Sequence, residues 1–121
     1  MRNRNFRFVS SVRVGCAIAA ALLSETPLFA GGSVTNVQVS QIGMTNDNVV
    51  FVRSSVSPVP GKPACSTDAT WQFAFAATKQ TYTSMVVTAR ATGAKITIVG
   101  TGACAAYPGI EEVAGMQIEA P

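Results

Sequence analysis

Histidine is absent from this sequence of 121 residues, and charged residues make up only 12% of it. Without an imidazole the chain has no conventional catalytic triad, no histidine base and no histidine ligand for a mononuclear metal centre. No serine or threonine has an evident activating base beside it, so a small hydrolase is the least favoured alternative. The sequence therefore predicts a protein that catalyses no reaction and needs no cofactor and no metal.

The excess of positive charge is confined to the start of the chain. The formal net charge is +3, and residues 1–30 account for all of it. This segment carries Arg2, Arg4, Arg7, Arg13 and Glu25. From residue 31 onward, basic and acidic side chains are equal in number. A neutral domain lacks the basic stripe that binding to phosphates requires, so no nucleic-acid partner is expected.

Residues 1–30 have the pattern of a secretory signal peptide. Arginines precede an apolar run at residues 14–23, and the small residue Ala30 stands directly before the predicted cut. The run is too short to remain in a bilayer as a spanning helix. We therefore expect cleavage before Gly31, a single domain over residues 31–121 with no membrane span, and export to the periplasm or out of the cell.

Two cysteines, Cys65 and Cys104, follow the predicted cut. An oxidising compartment favours a disulfide between them. Two cysteines without a histidine are too few ligands for an ordinary zinc site, which needs four. Closing a loop of this length is expected to stabilise the fold by up to about 4 kcal/mol.

Apolar patterning predicts five strands in the part of the chain that follows the cut. The strands are expected at residues 34–42, 49–52, 71–75 and 95–99, and within residues 113–119, where Met116 and Ile118 point inward. The first alternates apolar with polar residues, and the second is apolar on both faces. Trp71, Phe73 and Phe75 share one face of the third strand. That face is expected to form the centre of the core.

Residues 78–92 carry two conflicting signals. Their many β-branched side chains disfavour a helix. However, apolar residues recur at i, i+3, i+4 and i+7 from Tyr82, which is one helical face. The segment is also too long for an uninterrupted strand in so small a domain. A helix is therefore predicted, with Thr78 as its cap and Gly93 after its last turn.

The resulting order, β-β-β-α-β-β, is that of a mainly β, five-stranded OB-like barrel with its helix between the third and fourth strands. A small α+β sandwich with the same order is the competing architecture. OB-type barrels bind ligands over strands two and three and between the first and last inter-strand loops, here residues 43–48 and 100–108. The candidate ligand-binding residues in these loops are Asn46, Asp47, Asn48 and Tyr107. The three turn residues equally suit a purely structural role.

Two shorter motifs are assigned structural roles. Glu111 and Glu112 are adjacent, and neighbours along a strand point to opposite faces, so they cannot form a facing acid–base pair. We expect them in a solvated loop. Residues 100–102, Gly-Thr-Gly, have the composition of an anion-binding loop, but no helix start follows them. A tight turn is expected there.

Several short motifs carry a family resemblance. They are Ala64-Cys65-Ser66, Trp71 followed by Phe75, residues 92–98 and Tyr107-Pro108. Together they resemble the B subunit of subtilase cytotoxin and its typhoid-toxin-like relatives, and the chain also resembles small uncharacterised secreted bacterial proteins with a Gly-Thr-Gly-x-Cys turn. The resemblance implies an OB-fold subunit that assembles into a ring of five and binds sialylated glycans. It also implies a sugar-binding role for Ser33.

Two positions depart from that family pattern. Val52 stands where the relatives have a cysteine that pairs with the counterpart of Cys65, so Cys104 is the remaining partner for Cys65. Gly100 stands where they have a sugar-contacting tyrosine. The expected function is a non-catalytic secreted binding module, similar to a glycan-binding toxin B subunit. The alternative is a periplasmic accessory or inhibitor protein that binds another protein.

Overall fold

The computed structural model describes residues 31–121, and the predicted signal peptide lies outside the described residues. The elements are, in chain order, β1 (Ser33–Val37), β2 (Val39–Met44), β3 (Val49–Ser54), β4 (Phe73–Ala76), α1 (Gln80–Thr92), β5 (Ile96–Gly100) and β6 (Glu111–Ile118). The fold is therefore mainly β with one helix in this part of the chain, which agrees with the predicted class. No helix within residues 31–121 has the length and apolar character that crossing a membrane requires.

All six strands belong to one curled sheet. Their order is β1-β5-β6-β4-β3-β2, with β4 and β6 parallel and every other pair antiparallel. The two end strands, β1 and β2, are consecutive in the chain and separated only by Gln38. Because one residue cannot cross the width of a flat six-stranded sheet, the sheet curls into a half-barrel.

The predicted first strand is divided into β1 and β2, so the structure has six strands where five were expected. Asn36 has a positive φ of 57°. The pairing register shifts between Val34 and Val37 on β1 and between Val39 and Gln41 on β2. Such irregularities bend a strand and let its two halves pair with different neighbours. Alternation of apolar residues does not reveal where a strand bends.

The interior of the half-barrel is filled by alternate residues of the strands and by one side of α1. Phe73 and Phe75 of β4 are fully buried, as predicted, together with Ile96 and Ile98 of β5. The helix contributes Val86 to the same core cluster. Truncating one of these phenylalanines to alanine would cost about 3–5 kcal/mol, because it removes buried apolar surface and leaves a cavity.

The presence of the helix and its C-terminal end were predicted correctly, but the prediction of its N-terminal cap was wrong. Lys79 precedes α1 and makes no side-chain capping bond, so Thr78 does not cap the helix. Thr78 is one residue too early, because the first helical residue is Gln80. Gly93 follows the last turn with a φ of 72°, a left-handed conformation in which glycine avoids the strain of a Cβ.

Strand β6 begins two residues earlier than the predicted segment. Met116 packs against the core, as expected. Ile118 is on the same face, opposite the buried Ile96, but it is 38% exposed and is not part of the core cluster. It is the last residue of the strand, where it lines an open cleft with Asn36 and Lys95.

Candidate functional site

A second apolar cluster lies on the outer face of β3 and β4. Phe51 belongs to this cluster, whereas its neighbours on β3, Val50 and Val52, pack in the interior, as alternation along a strand requires. The Phe51 ring centroid lies 5.6 Å from that of Trp71 and 4.9 Å from that of Tyr107. Both covering rings are only half-buried. We call Phe51, Trp71 and Tyr107 the aromatic cluster.

Trp71 was expected in the core and lies instead on the opposite face of the sheet. Strand β4 begins only at Phe73. Before it, the chain turns around Asp68, whose Oδ1 accepts hydrogen bonds from the N–H groups of Thr70 and Trp71, each at 2.7 Å. The strand alternation therefore stops short of Trp71. Its indole lies over Gly43 of β2, where an added Cβ would stand 2.8 Å from Cη2 and Cζ2.

The loops that carry Trp71 and Tyr107 are joined to each other. The structure contains the expected disulfide between Cys65, on the loop from β3 to β4, and Cys104, on the loop from β5 to β6. In addition, the Gly109 carbonyl accepts hydrogen bonds from two successive N–H groups of the first loop, each at 3.0 Å. The disulfide and these hydrogen bonds therefore tie together the two loops that carry the half-buried rings of Trp71 and Tyr107.

Polar side chains share the outer face of the sheet with the aromatic cluster. Gln41 and Arg53 are cross-strand partners on β2 and β3, and Arg53 shares a face with Phe51 because the two are separated by one residue. A cleft of about 100 Å³ next to Trp71 is also lined by Asp68. That volume is below the roughly 300–1,000 Å³ of typical small-molecule pockets. The face is therefore a shallow aromatic platform edged by hydrogen-bonding groups.

The predicted turn residues form the connection between β2 and β3. Asn46, Asp47 and Asn48 join β2 to β3 and are exposed. Asn48 has a positive φ of 55°, and its carbonyl accepts a 2.7 Å hydrogen bond from Ala77. Asparagine adopts this conformation more readily than most residues, so Asn48 has a structural role in the turn. The side chains of Asn46 and Asp47 are exposed to solvent.

Ser33 is not part of this group. It is the first residue of β1 and pairs with Val99 of β5. Its backbone N–H donates to the carbonyl of Pro60 at 3.2 Å. The sugar-binding role that the resemblance implies for Ser33 therefore has no contact with the aromatic cluster to support it.

A buried carboxylate is the feature that the sequence analysis missed. Glu111 was expected in a solvated loop, but it begins β6 and has no exposed surface. Its Oε1 accepts hydrogen bonds from the N–H of Gly32 at 2.9 Å and of Gly102 at 3.0 Å, and Oε2 accepts from Gly32 at 3.1 Å. The sequence does contain a signal for this burial. Glu111 stands two residues before Val113, and residues two apart on a strand point to the same face, which here is the inward one.

Within residues 31–121, the groups around Glu111 supply hydrogen bonds but no positive charge. Burial raises the pKa of Glu111, while the backbone N–H groups of Gly102 and Gly32 act in the opposite direction. In the same part of the chain, an ion pair joins Lys79 to Glu112, the residue next to Glu111, with 3.7 Å between Lys79 Nζ and Glu112 Oε1. Glu111 therefore lies in a pocket of neutral donors.

The raised pKa of Glu111 predicts how the stability of the full-length chain depends on pH. Between the usual carboxyl value of 4.5 and the raised value, the folded state retains a proton that the unfolded state has released. Stability is therefore expected to fall as pH rises above 4.5. The urea concentration at the midpoint of unfolding, measured from pH 3.5 to 7.5, should fall more in the natural sequence than in Glu111→Gln. The same dependence of stability on pH should be seen in Glu112→Gln. An identical dependence in Glu111→Gln would show that Glu111 is not its cause.

Comparison with known proteins returns no match: no family model, no curated protein and no solved structure matches this chain. The function is therefore inferred from the geometry of the outer face. That face combines a rigidly held aromatic cluster with adjacent polar side chains, which defines a candidate binding surface.

Proposed function

We propose that the chain is an exported binding module without a catalytic reaction, and that it holds a carbohydrate on the aromatic cluster. The observation that carries the proposal is the pair of half-buried rings, Trp71 and Tyr107, held over Phe51. A sugar presents apolar C–H faces together with hydroxyl groups. Aromatic rings beside Gln41 and Arg53 offer both kinds of contact.

The order of the strands supports an OB-type interpretation of the half-barrel. Counting β1 and β2 as one strand bent at Gln38 gives five strands, with α1 between the third and the fourth. Strand β3 then becomes strand two, and β4 becomes strand three. The aromatic cluster lies on their outer face, where OB-type barrels bind oligosaccharides.

Sialylated glycans are the first ligands to test. The resemblance to toxin B subunits points to them, and the carboxylate of a sialic acid would find a cation in Arg53. The same resemblance leads us to propose a ring of five copies, which light scattering on the purified protein would reveal as a mass five times that of one chain. Export is supported by the disulfide, since such bonds persist in oxidising compartments.

Loss of the Arg53 side chain is expected to weaken binding to sialylated glycans by about tenfold to a hundredfold, because a hydrogen bond to a charged group contributes about 1.5–3 kcal/mol. The measurement is a glycan array followed by titration of the bound sugars, using protein purified from an exporting host. Arg90→Ala is the matched control, because Arg90 lies exposed in the last turn of α1. It should leave the affinity unchanged.

Absence of sugar binding above background would contradict the carbohydrate proposal. Recovery of one stoichiometric protein partner from the periplasm, in place of a glycan, would favour the accessory or inhibitor function instead. Equal weakening by Arg53→Ala and Arg90→Ala would show that the effect is not specific to the outer face.

A further inference from the structure

The buried carboxylate of Glu111 and the backbone of Gly31, the residue that follows the predicted cut, lie close together. An ideal Cβ on Gly31 would stand 2.5 Å from Glu111 Oε1. The Gly31 α-carbon is one further bond from that point, and its nitrogen another, at about 1.5 Å each. The Gly31 nitrogen therefore lies within about 5.5 Å of the carboxylate. This is the distance range in which opposite charges shift each other's protonation.

Among the described residues, no basic side chain is positioned to form an ion pair with the Glu111 carboxylate. The elements packed around its carboxylate are the chain at Gly31 and Gly32, the end of β5, the turn that follows it, and the loop at Lys62. The one basic residue there is Lys62, which approaches Gly32 through its α-carbon and has an exposed side chain. An ionised carboxylate buried without a partner is costly, whereas one that has both a partner and hydrogen bonds is tolerated.

We propose that hydrolysis of the Ala30–Gly31 peptide bond completes the fold, because the α-ammonium group it creates at Gly31 becomes the ion-pair partner of Glu111. The hydrolysis consumes one water: its hydroxyl goes to the Ala30 carbonyl carbon, and a hydrogen goes to the Gly31 nitrogen. The free amine takes up a further proton from solvent below its ordinary pKa of about 8. The inference depends on the predicted cut and is independent of the proposed carbohydrate binding.

The identity of residue 31 fits this role. A side chain at Gly31 would collide with the Gly100 carbonyl oxygen and with Glu111 Oε1. A glycine at this position lets the backbone lie this close to the carboxylate. The neighbouring Gly32 already donates its N–H to both carboxylate oxygens. The pair Gly31-Gly32 would therefore give Glu111 one charged donor and one neutral donor.

The test moves the new ammonium group by one residue. The full chain is exported from a bacterial host, with and without a serine inserted between Ala30 and Gly31, and intact mass reads the mature start of each. The proposal predicts a start at Gly31 for the natural sequence. It also predicts that the insertion lowers the folding equilibrium constant about a hundredfold, since removing one partner of a buried ion pair is strongly destabilising.

Two further variants, Glu111→Gln and Glu112→Gln, test whether the effect of the insertion depends on Glu111. Each is made with and without the insertion. With Glu111→Gln the insertion should change the folding equilibrium less than twofold, whereas with Glu112→Gln it should retain its full effect. In the processed natural protein, stability should rise with pH between 4 and 7, the reverse of the slope expected for the full-length chain. An insertion effect of the same size in the natural protein and in Glu111→Gln, or a mature start other than Gly31, would overturn the proposal.

Amine reactivity gives a second measurement in case Glu111→Gln fails to fold. Acylation of the N-terminal amine at pH 7, followed by peptide mass spectrometry, should be at least tenfold slower in the natural protein than in the insertion variant. The lysine side chains serve as internal standards in each sample. Equal acylation rates for the two N-terminal amines would show that the Gly31 ammonium group is free in solvent and would refute the pairing.

Discussion

Replacing Gly100 by alanine is expected to destabilise the protein by about 1–3 kcal/mol or more, as overpacking in a filled interior does. An added Cβ at Gly100 would stand 2.7 Å from Glu111 Oε2 and closer still to Oε1. The carboxylate cannot retreat without losing its hydrogen bonds to Gly32 and Gly102, and a buried acceptor left without its donors adds a further penalty. Urea unfolding followed by circular dichroism would measure the loss.

Gly115→Ala is the matched control for this prediction. Gly115 lies in β6, and an added Cβ there meets nothing within 4 Å. Neither Gly100 nor Gly115 has a positive φ, so backbone strain does not separate the two positions. Gly115→Ala should leave stability unchanged or raise it by about 0.4–1 kcal/mol, because alanine restricts the unfolded chain. Equal losses at both positions would show that Glu111 is not the cause.

Removing the disulfide is expected to cost up to about 4 kcal/mol in the chain-entropy model for the 39-residue separation of Cys65 and Cys104. The total stability of a domain is about 5–15 kcal/mol, so this loss leaves a small margin. The proposed carbohydrate binding should weaken as well, because the loops that carry Trp71 and Tyr107 lose their covalent connection and keep only their hydrogen bonds to Gly109. Thermal unfolding and glycan titration of the Cys65→Ala/Cys104→Ala protein would measure both effects.

The single variants provide the control for the disulfide. Cys65→Ala and Cys104→Ala should each be as unstable as the double variant, since either one removes the same bond. In the natural folded protein, neither thiol should react with an alkylating reagent before reduction. Free alkylation of both cysteines in folded protein would contradict the described connection between the two loops.

Local signals in the sequence were sufficient for most of the elements. The aromatic alternation at Phe73 and Phe75 predicted a buried strand, and Gly93 marked the end of the helix. The bend at Gln38 was not predictable in this way. It depends on which strands the two halves pair with, and those partners, β5 and β3, are far away in the sequence.

The candidate site was predicted only in part, for a related reason. The loops at residues 46–48 and at Tyr107 were expected to face a ligand. Tyr107 packs on Phe51 in the aromatic cluster, whereas a ligand-binding role for residues 46–48 stays a prediction. Trp71 was assigned to the core because its spacing from Phe73 is that of a strand. The turn that moves it to the other face is made by Asp68. The burial of Glu111 likewise depends on glycines that are distant along the chain.

Fluorescence of Trp71 tests the proposed binding face most directly, because the chain contains a single tryptophan. Its emission reports on the aromatic cluster alone. Titration with a sialylated glycan that binds on the array should change the emission to a saturating limit, at the same concentrations that saturate binding. Arg53→Ala should shift that titration to higher concentration. Glycan binding that leaves the Trp71 emission unchanged would place the ligand elsewhere and contradict the carbohydrate site on β3 and β4.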